Sequence, residues 1–159
     1  MEIWRVFGRL KPSEQRLAFE AAFGLTSTWL GLRIFGFRNW KTAIEKVAPR
    51  RLNAPESTER TLKTAAIVRM EAAAARHLFF TPTCLVRSLV LAAMLRRRGL
   101  DAKLRIGARK QAGRFEAHAW VELDGAMLDP AAGAMPEFVP FDDAALAIRT
   151  RASAGGSSR

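Results

Sequence analysis

The chain reads as an α+β protein, with helices through its first half and a small antiparallel sheet after them. Three observations predict this. Apolar residues recur at helical spacing in stretches between Leu17 and Leu95. After Gly99 the period changes to two, in Ala102–Ala108 and again in Phe115–Leu123. Asp124-Gly125 then separates two apolar stretches, the signal of a two-residue hairpin of the primed type.

Met1–Lys11 is short and mixed, with no small-residue cleavage site after an apolar core, so it is not read as a secretory signal. Pro12-Ser13-Glu14 starts a helix, with Ser13 as the expected cap and Glu14 placing an acid in the first turn. Leu17–Phe37 follows as one long apolar helix or a broken one, with Gly24 and Gly31 as the expected interruptions. Its uncharged core Ala21–Leu32 is twelve residues long, short of the roughly 20 that a membrane span needs. Core packing is the expected role of this run. The competing role is a docking face, since Trp29, Phe35, Phe37 and Trp40 are the residue types that dominate contact energetics. Asn39–Val47 reads as a short helix and Ala48–Glu56 as a proline-containing loop. Ser57 caps a helix running to about Leu78, with Leu62, Ala65, Ala66, Val68 and Met70 as its apolar positions. His77 ends that helix as a structural residue, and Phe79-Phe80 is expected in the core.

The stretch Thr81–Pro130 organises the rest. Thr81 is the expected N-cap and Pro82 the first helical residue, which puts Cys84 in the first turn. Arg96, Arg97 and Arg98 suit the negative end of the helix, and Gly99 stops it. A thiol in a first turn sits beside N–H groups without helical partners, which favour a thiolate and can hold an oxyanion. Strand alternation puts Phe115, Ala117, Ala119, Val121 and Leu123 on one face. Glu116, His118, Trp120 and Glu122 share the other. The hairpin sets Leu123 opposite Ala126, and counting back sets Trp120 opposite Asp129. Asp129 is then the diagonal neighbour of His118, about 7–8 Å away at the backbone. Cys84, His118 and Asp129 are thus the candidate nucleophile, base and orienting acid, in the logic of a catalytic triad. The plainer roles are a buried cysteine, a histidine satisfied between strands, a Trp120 that fills core, and a Glu122 paired with an arginine. Phe138–Phe141 reads as a short edge strand, Asp142–Ile148 as a helical turn or two, and residues 150–159 as a disordered tail.

Composition bounds the function. The 159 residues suffice for one domain with a proper core. The reading is a single domain over residues 1–149, helical over 1–56 and carrying the cysteine core over 57–149. One cysteine excludes an internal disulfide, and one cysteine with two histidines argues against a structural zinc site; no metal or cofactor is expected. The net charge of +11 suits an acidic partner. No nucleic-acid signature accompanies it, so neither nucleic-acid binding nor contact with a membrane surface is expected. A cytoplasmic protein is expected.

The string CLVRSLVLAAMLRRRGLDAKLRIGARK (residues 84–110), followed by FEAHAWVELDG (115–125), resembles the leader peptidases of lasso-peptide biosynthesis. These are B-proteins with a transglutaminase-like cysteine-protease core, related to microcin-processing proteins. The resemblance runs from about Leu10 to Asp129. It is most specific at the Cys84 helix, at Leu104-Arg105-Ile106-Gly107 and at His118-Ala119-Trp120-Val121-Glu122. It implies a papain-like or transglutaminase-like scaffold and a Cys-His-Asp triad. Cys84 and His118 match that pattern directly; Asp129 is the implied acid and Asp124 the fallback. It implies a cysteine endopeptidase that removes the leader of a ribosomally made precursor peptide. A separate ATP-dependent cyclase would receive the core peptide. The few residues before the first helix imply that leader recognition falls to another chain. Two rival readings stand beside this one, a transglutaminase-like acyltransferase and a non-catalytic scaffold protein.

Overall fold

The computed structural model describes residues 10–48, 57–111, 114–128 and 138–141. Its elements are α1 (Pro12–Val47), α2 (Ser57–His77), α3 (Cys84–Arg96), β1 (Lys103–Gln111), β2 (Arg114–Leu123), β3 (Ala126–Leu128) and β4 (Val139–Pro140). The strands form one antiparallel sheet in the order β3-β2-β1-β4. The fold is α+β, as the change of period from helical to alternating requires.

Helix α1 starts one step earlier than its sequence suggests. Lys11 is the N-cap and Pro12 fills the first turn, where its missing N–H costs nothing. The carboxylate of Glu14 accepts the Lys11 N–H at 3.1 Å. Ser13 is therefore inside the helix. The break falls at Gly36, with φ 74° and ψ 168°, and not at Gly24 or Gly31. A β-carbon at Gly36 would touch nothing, so this glycine serves the backbone angle alone. Gly24 and Gly31 serve packing: a methyl at Gly24 would meet Val90 Cγ1 at 2.9 Å, and one at Gly31 would enter the Trp40 ring. Asn39–Val47 is thus the second arm of α1 beyond the Gly36 corner. Trp40 reaches back to Gly31 and stacks on Phe35 with ring centroids 6.0 Å apart.

One stripe of the first arm, Ala21, Leu25, Thr28 and Gly31, is buried. Phe19, Phe23, Leu30 and Ile34 lie exposed, so the apolar run supplies core and an open apolar face together. No helix among the described residues is long and apolar enough to cross a membrane.

Helix α2 buries only part of the expected face: Met70 is inside and Val68 packs against the core. Thr64, Ile67, Met70, Glu71 and Ala74 are inside, and Leu62 and Ala65 are exposed. Polar residues on that face obscure its apolar pattern. Glu71 is 1% exposed and takes a two-pronged bond from Arg87, with Nε–Oε1 at 2.9 Å and Nη2–Oε2 at 2.8 Å.

Helix α3 is buried on nearly all sides, as an apolar helix in the centre of a fold must be. Its residues Val86, Val90, Leu91 and Leu95 join Ile67 of α2, Leu25 of α1 and Val121 and Leu123 of β2 in one core. Gly99, at φ 81°, ends it, and the Leu100 N–H returns to the Leu95 carbonyl at 3.2 Å. Arg96 is folded inward, and its Nε donates to the Ala102 carbonyl at 2.8 Å, fixing the entry to β1.

The hairpin register is the expected one: Leu123 faces Ala126, Glu122 faces Met127 and Val121 faces Leu128. Asp124 and Gly125, at φ 52° and 80°, make the primed turn. Val139 and Pro140 pair with Ala108 and Gly107 at the edge of the sheet, where a proline's missing donor is tolerated. Asp129, the loop over 49–56, the helical turn expected over Asp142–Ile148 and the tail over 150–159 lie outside the described residues.

Candidate functional site

The site is built where α3 begins. Thr81 is not the cap. Thr83 is, with its Oγ1 accepting the Val86 N–H at 3.4 Å and its carbonyl accepting the Arg87 N–H at 3.0 Å. Cys84 is therefore the first residue of the helix. Its own N–H and that of Leu85 precede the first intrahelical bond, at the positive end of the helix dipole. The thiol is free and partly exposed. A side chain here can meet a ligand while its backbone N–H faces developing negative charge.

His118 lies on β2, opposite Gly107 of β1. Its ring is nearly parallel to the Trp120 indole, at 12° and 6.4 Å between centroids. Phe138, from the segment that carries β4, lies 5.3 Å from it on a tilted plane. Trp120 is buried, so both faces of β2 are covered at this level, one by α3 and one by Phe138. Such packing restricts the imidazole's rotation. Glycine at position 107 is needed for it: a methyl there would meet Trp120 Cη2 at 2.9 Å and the Val139 backbone more closely still.

Cys84 and His118 are related through their neighbours. Ser88 Oγ donates to the Ala119 carbonyl at 2.8 Å, a bond between α3 and β2 that is buried. Cys84 is four residues before Ser88, on the same helix face and one turn, about 5.4 Å, nearer the helix start. His118 is next to Ala119. Ser88 thus ties the helix that starts at Cys84 to β2 one residue from His118, whose ring lies on the other strand face with Trp120 and Phe138. No hydrogen bond links the two side chains among the described residues; in unliganded enzymes such bonds are often long and tighten only with substrate.

The described register stops at Leu128, one pair short of Asp129. Asp124 sits at the hairpin tip in an ion pair with Arg60, 2.6 Å from Oδ2 to Nη2. Six residues of strand separate it from His118, about 20 Å at the usual rise. That removes it as the residue that orients this imidazole. His77 is exposed at the end of α2. Glu122 pairs with Arg105 at 3.1 Å and is structural. Phe79, expected inside, is 81% exposed. Ser88 and Phe138 are the site residues that sequence reasoning missed. A serine within the apolar run of α3 is a signal that could have found the first; nothing in the sequence marks the second.

No curated protein and no solved structure is significantly similar to the chain. A family model described as the transglutaminase-like superfamily matches residues 25–141, well over half of the sequence. The match spans the Cys84 helix, both long strands and the edge strand that brings Phe138 to His118. The chain belongs to the transglutaminase-like superfamily.

Proposed function

We propose that the chain is a cysteine endopeptidase that removes the leader from a ribosomally made lasso-peptide precursor. The observation that carries the chemistry is the position of Cys84 as first residue of α3, a helix whose Ser88 is bonded to β2 one residue from His118. The superfamily, which includes cysteine peptidases and acyltransferases, supports acyl chemistry at such a cysteine. The resemblance of residues 84–110 and 115–125 to lasso leader peptidases supports the substrate.

In this reading His118 takes the proton of Cys84, and the thiolate attacks the carbonyl of the scissile peptide bond. The Cys84 N–H, at the start of the helix, holds the oxyanion. As the tetrahedral intermediate collapses, the C–N bond breaks and protonated His118 gives its proton to the leaving amine. Water, deprotonated by His118, then cleaves the thioester and restores the thiol. Asp129 is proposed as the acid that orients the imidazole. The freed amine passes to a separate ATP-dependent cyclase, and a separate chain presents the leader.

The test is product analysis by mass spectrometry of a candidate precursor peptide incubated with the protein, with and without a leader-recognition protein. A shortened peptide supports hydrolysis. A new amide joining the acyl part to an added amine would make the chain an acyltransferase. An unchanged peptide under both conditions would oppose the peptidase reading.

A further inference from the structure

Three aromatic rings cluster where the chain leads into the Cys84 helix. Trp29 of α1 stacks on Phe80, with centroids 4.7 Å apart. Phe79 stands edge-on to both, at 6.4 Å from Trp29 and 5.0 Å from Phe80. Phe79 is 81% exposed, so this ring adds little to the core. The Arg33 guanidinium lies 4.5 Å from the Trp29 ring centre. Phe80 also lines a cleft of about 390 Å³ between the end of α2 and the start of α3, walled by Leu78 and Pro82 and bordered by Arg76 and Arg87. Glu71 neutralises Arg87. Among the described residues no carboxylate pairs with Arg76.

Two of these rings adjoin Cys84 in the chain. Phe79 and Phe80 precede Cys84 by five and four residues. Even a fully extended chain would hold Phe79 within about 18 Å of Cys84. A bound extended peptide rises by about 3.3 Å per residue, so that span corresponds to at most about five of its residues.

We propose that Trp29, Phe79 and Phe80 form the subsite for a large apolar side chain of the acyl-donor peptide, and that Arg33 and Arg76 select carboxylates flanking it. The inference rests on the peptidase reading above and names its substrate class: an acidic peptide segment with an aromatic or branched aliphatic anchor. The net charge of +11 attracts such a segment from solution. An exposed ring already held by two others gives contact area with little loss of side-chain freedom on binding. The charges alone would bind any acidic chain; the rings make the site discriminate.

The test uses two short labelled peptides of Gly, Ser and Glu, one with a central Phe and one with Ala in its place. Their binding is measured by fluorescence anisotropy on the full chain carrying Cys84→Ala, which stops turnover by the proposed route. The Phe peptide is expected to bind about tenfold tighter, as burial of a phenyl ring predicts. Adding Phe79→Ala should erase that difference, and Phe79→Leu should keep most of it. Arg76→Glu should weaken both peptides alike. Equal binding of the two peptides, or a preference that survives Phe79→Ala, overturns the proposal. So does self-association that Phe79→Ala abolishes without any effect on peptide binding. The peptidase reading fails separately, through turnover that persists in Cys84→Ala.

Discussion

The hydroxyl of Ser88 is bonded to the carbonyl of Ala119 at 2.8 Å, and this contact joins the Cys84 helix to the strand of His118. Ser88 is one helical turn from Cys84, and Ala119 is next to His118. Ser88→Ala leaves a buried carbonyl without its donor, at a cost of about 1–3 kcal/mol. It also frees α3 to shift against β2. Turnover is expected to fall about 10- to 100-fold, because small displacements of reacting groups are costly. Urea denaturation reads the first effect and peptide cleavage the second. Loss of stability with full activity would show that the bond only braces the fold.

Arg87 and Glu71 predict that a second substitution rescues the first. Arg87→Leu strands a carboxylate that is 1% exposed, and should cost about 3–5 kcal/mol. Glu71→Leu combined with Arg87→Leu removes both charges and should recover much of that loss. Thermal or urea denaturation of the three proteins measures it. A double variant less stable than Arg87→Leu would contradict the account of α2 packing on α3.

Gly107→Ala probes the aromatic slot around His118. The new methyl would press on Trp120 and on the backbone of Val139, the strand that brings Phe138 over the imidazole. Overpacking of this kind costs about 1–3 kcal/mol. The His118 ring protons should also move in the proton NMR spectrum as Phe138 is displaced. An unchanged His118 spectrum would mean that Phe138 does not depend on this contact.

Gly36→Ala isolates a backbone effect. Nothing lies within 4 Å of the β-carbon, so the cost is that of the backbone angles alone, φ 74° with ψ 168°, about 1–3 kcal/mol. Gly31→Ala should cost more, since the Trp40 ring already occupies that space. Equal losses at the two sites would mean that the corner is elsewhere.

These glycines show how far the sequence was legible. Smallness and a positive φ both call for glycine, and the sequence does not say which is needed. Gly24 and Gly31 have the sequence signature of breaks, while the corner lies at Gly36. The start of α3 was misplaced by two residues for a similar reason: Thr81 and Thr83 flank Pro82, and either can cap. Local turn chemistry was decisive elsewhere. Asp124-Gly125 gave the hairpin and its register down to Leu128, and Gly99 gave the helix stop. The face of α2 was hidden because Thr64 and Glu71 lie on it, and only the distant Arg87 explains the second. The candidate nucleophile and base could be named from their settings, a helix start and an alternating strand. The Ser88 bond and the Phe138 contact could not, since both depend on tertiary packing that no local pattern encodes.

The most direct measurement is the intact mass of the protein during turnover of a candidate precursor peptide. A peptidyl thioester on Cys84 should raise the mass by that of the acyl fragment, and hydroxylamine should release it. Cys84→Ala should show neither the adduct nor cleavage, with turnover down on the order of 10³-fold or more. Cleavage at the wild-type rate by Cys84→Ala would contradict the assignment of Cys84 as nucleophile, and with it the account of this site.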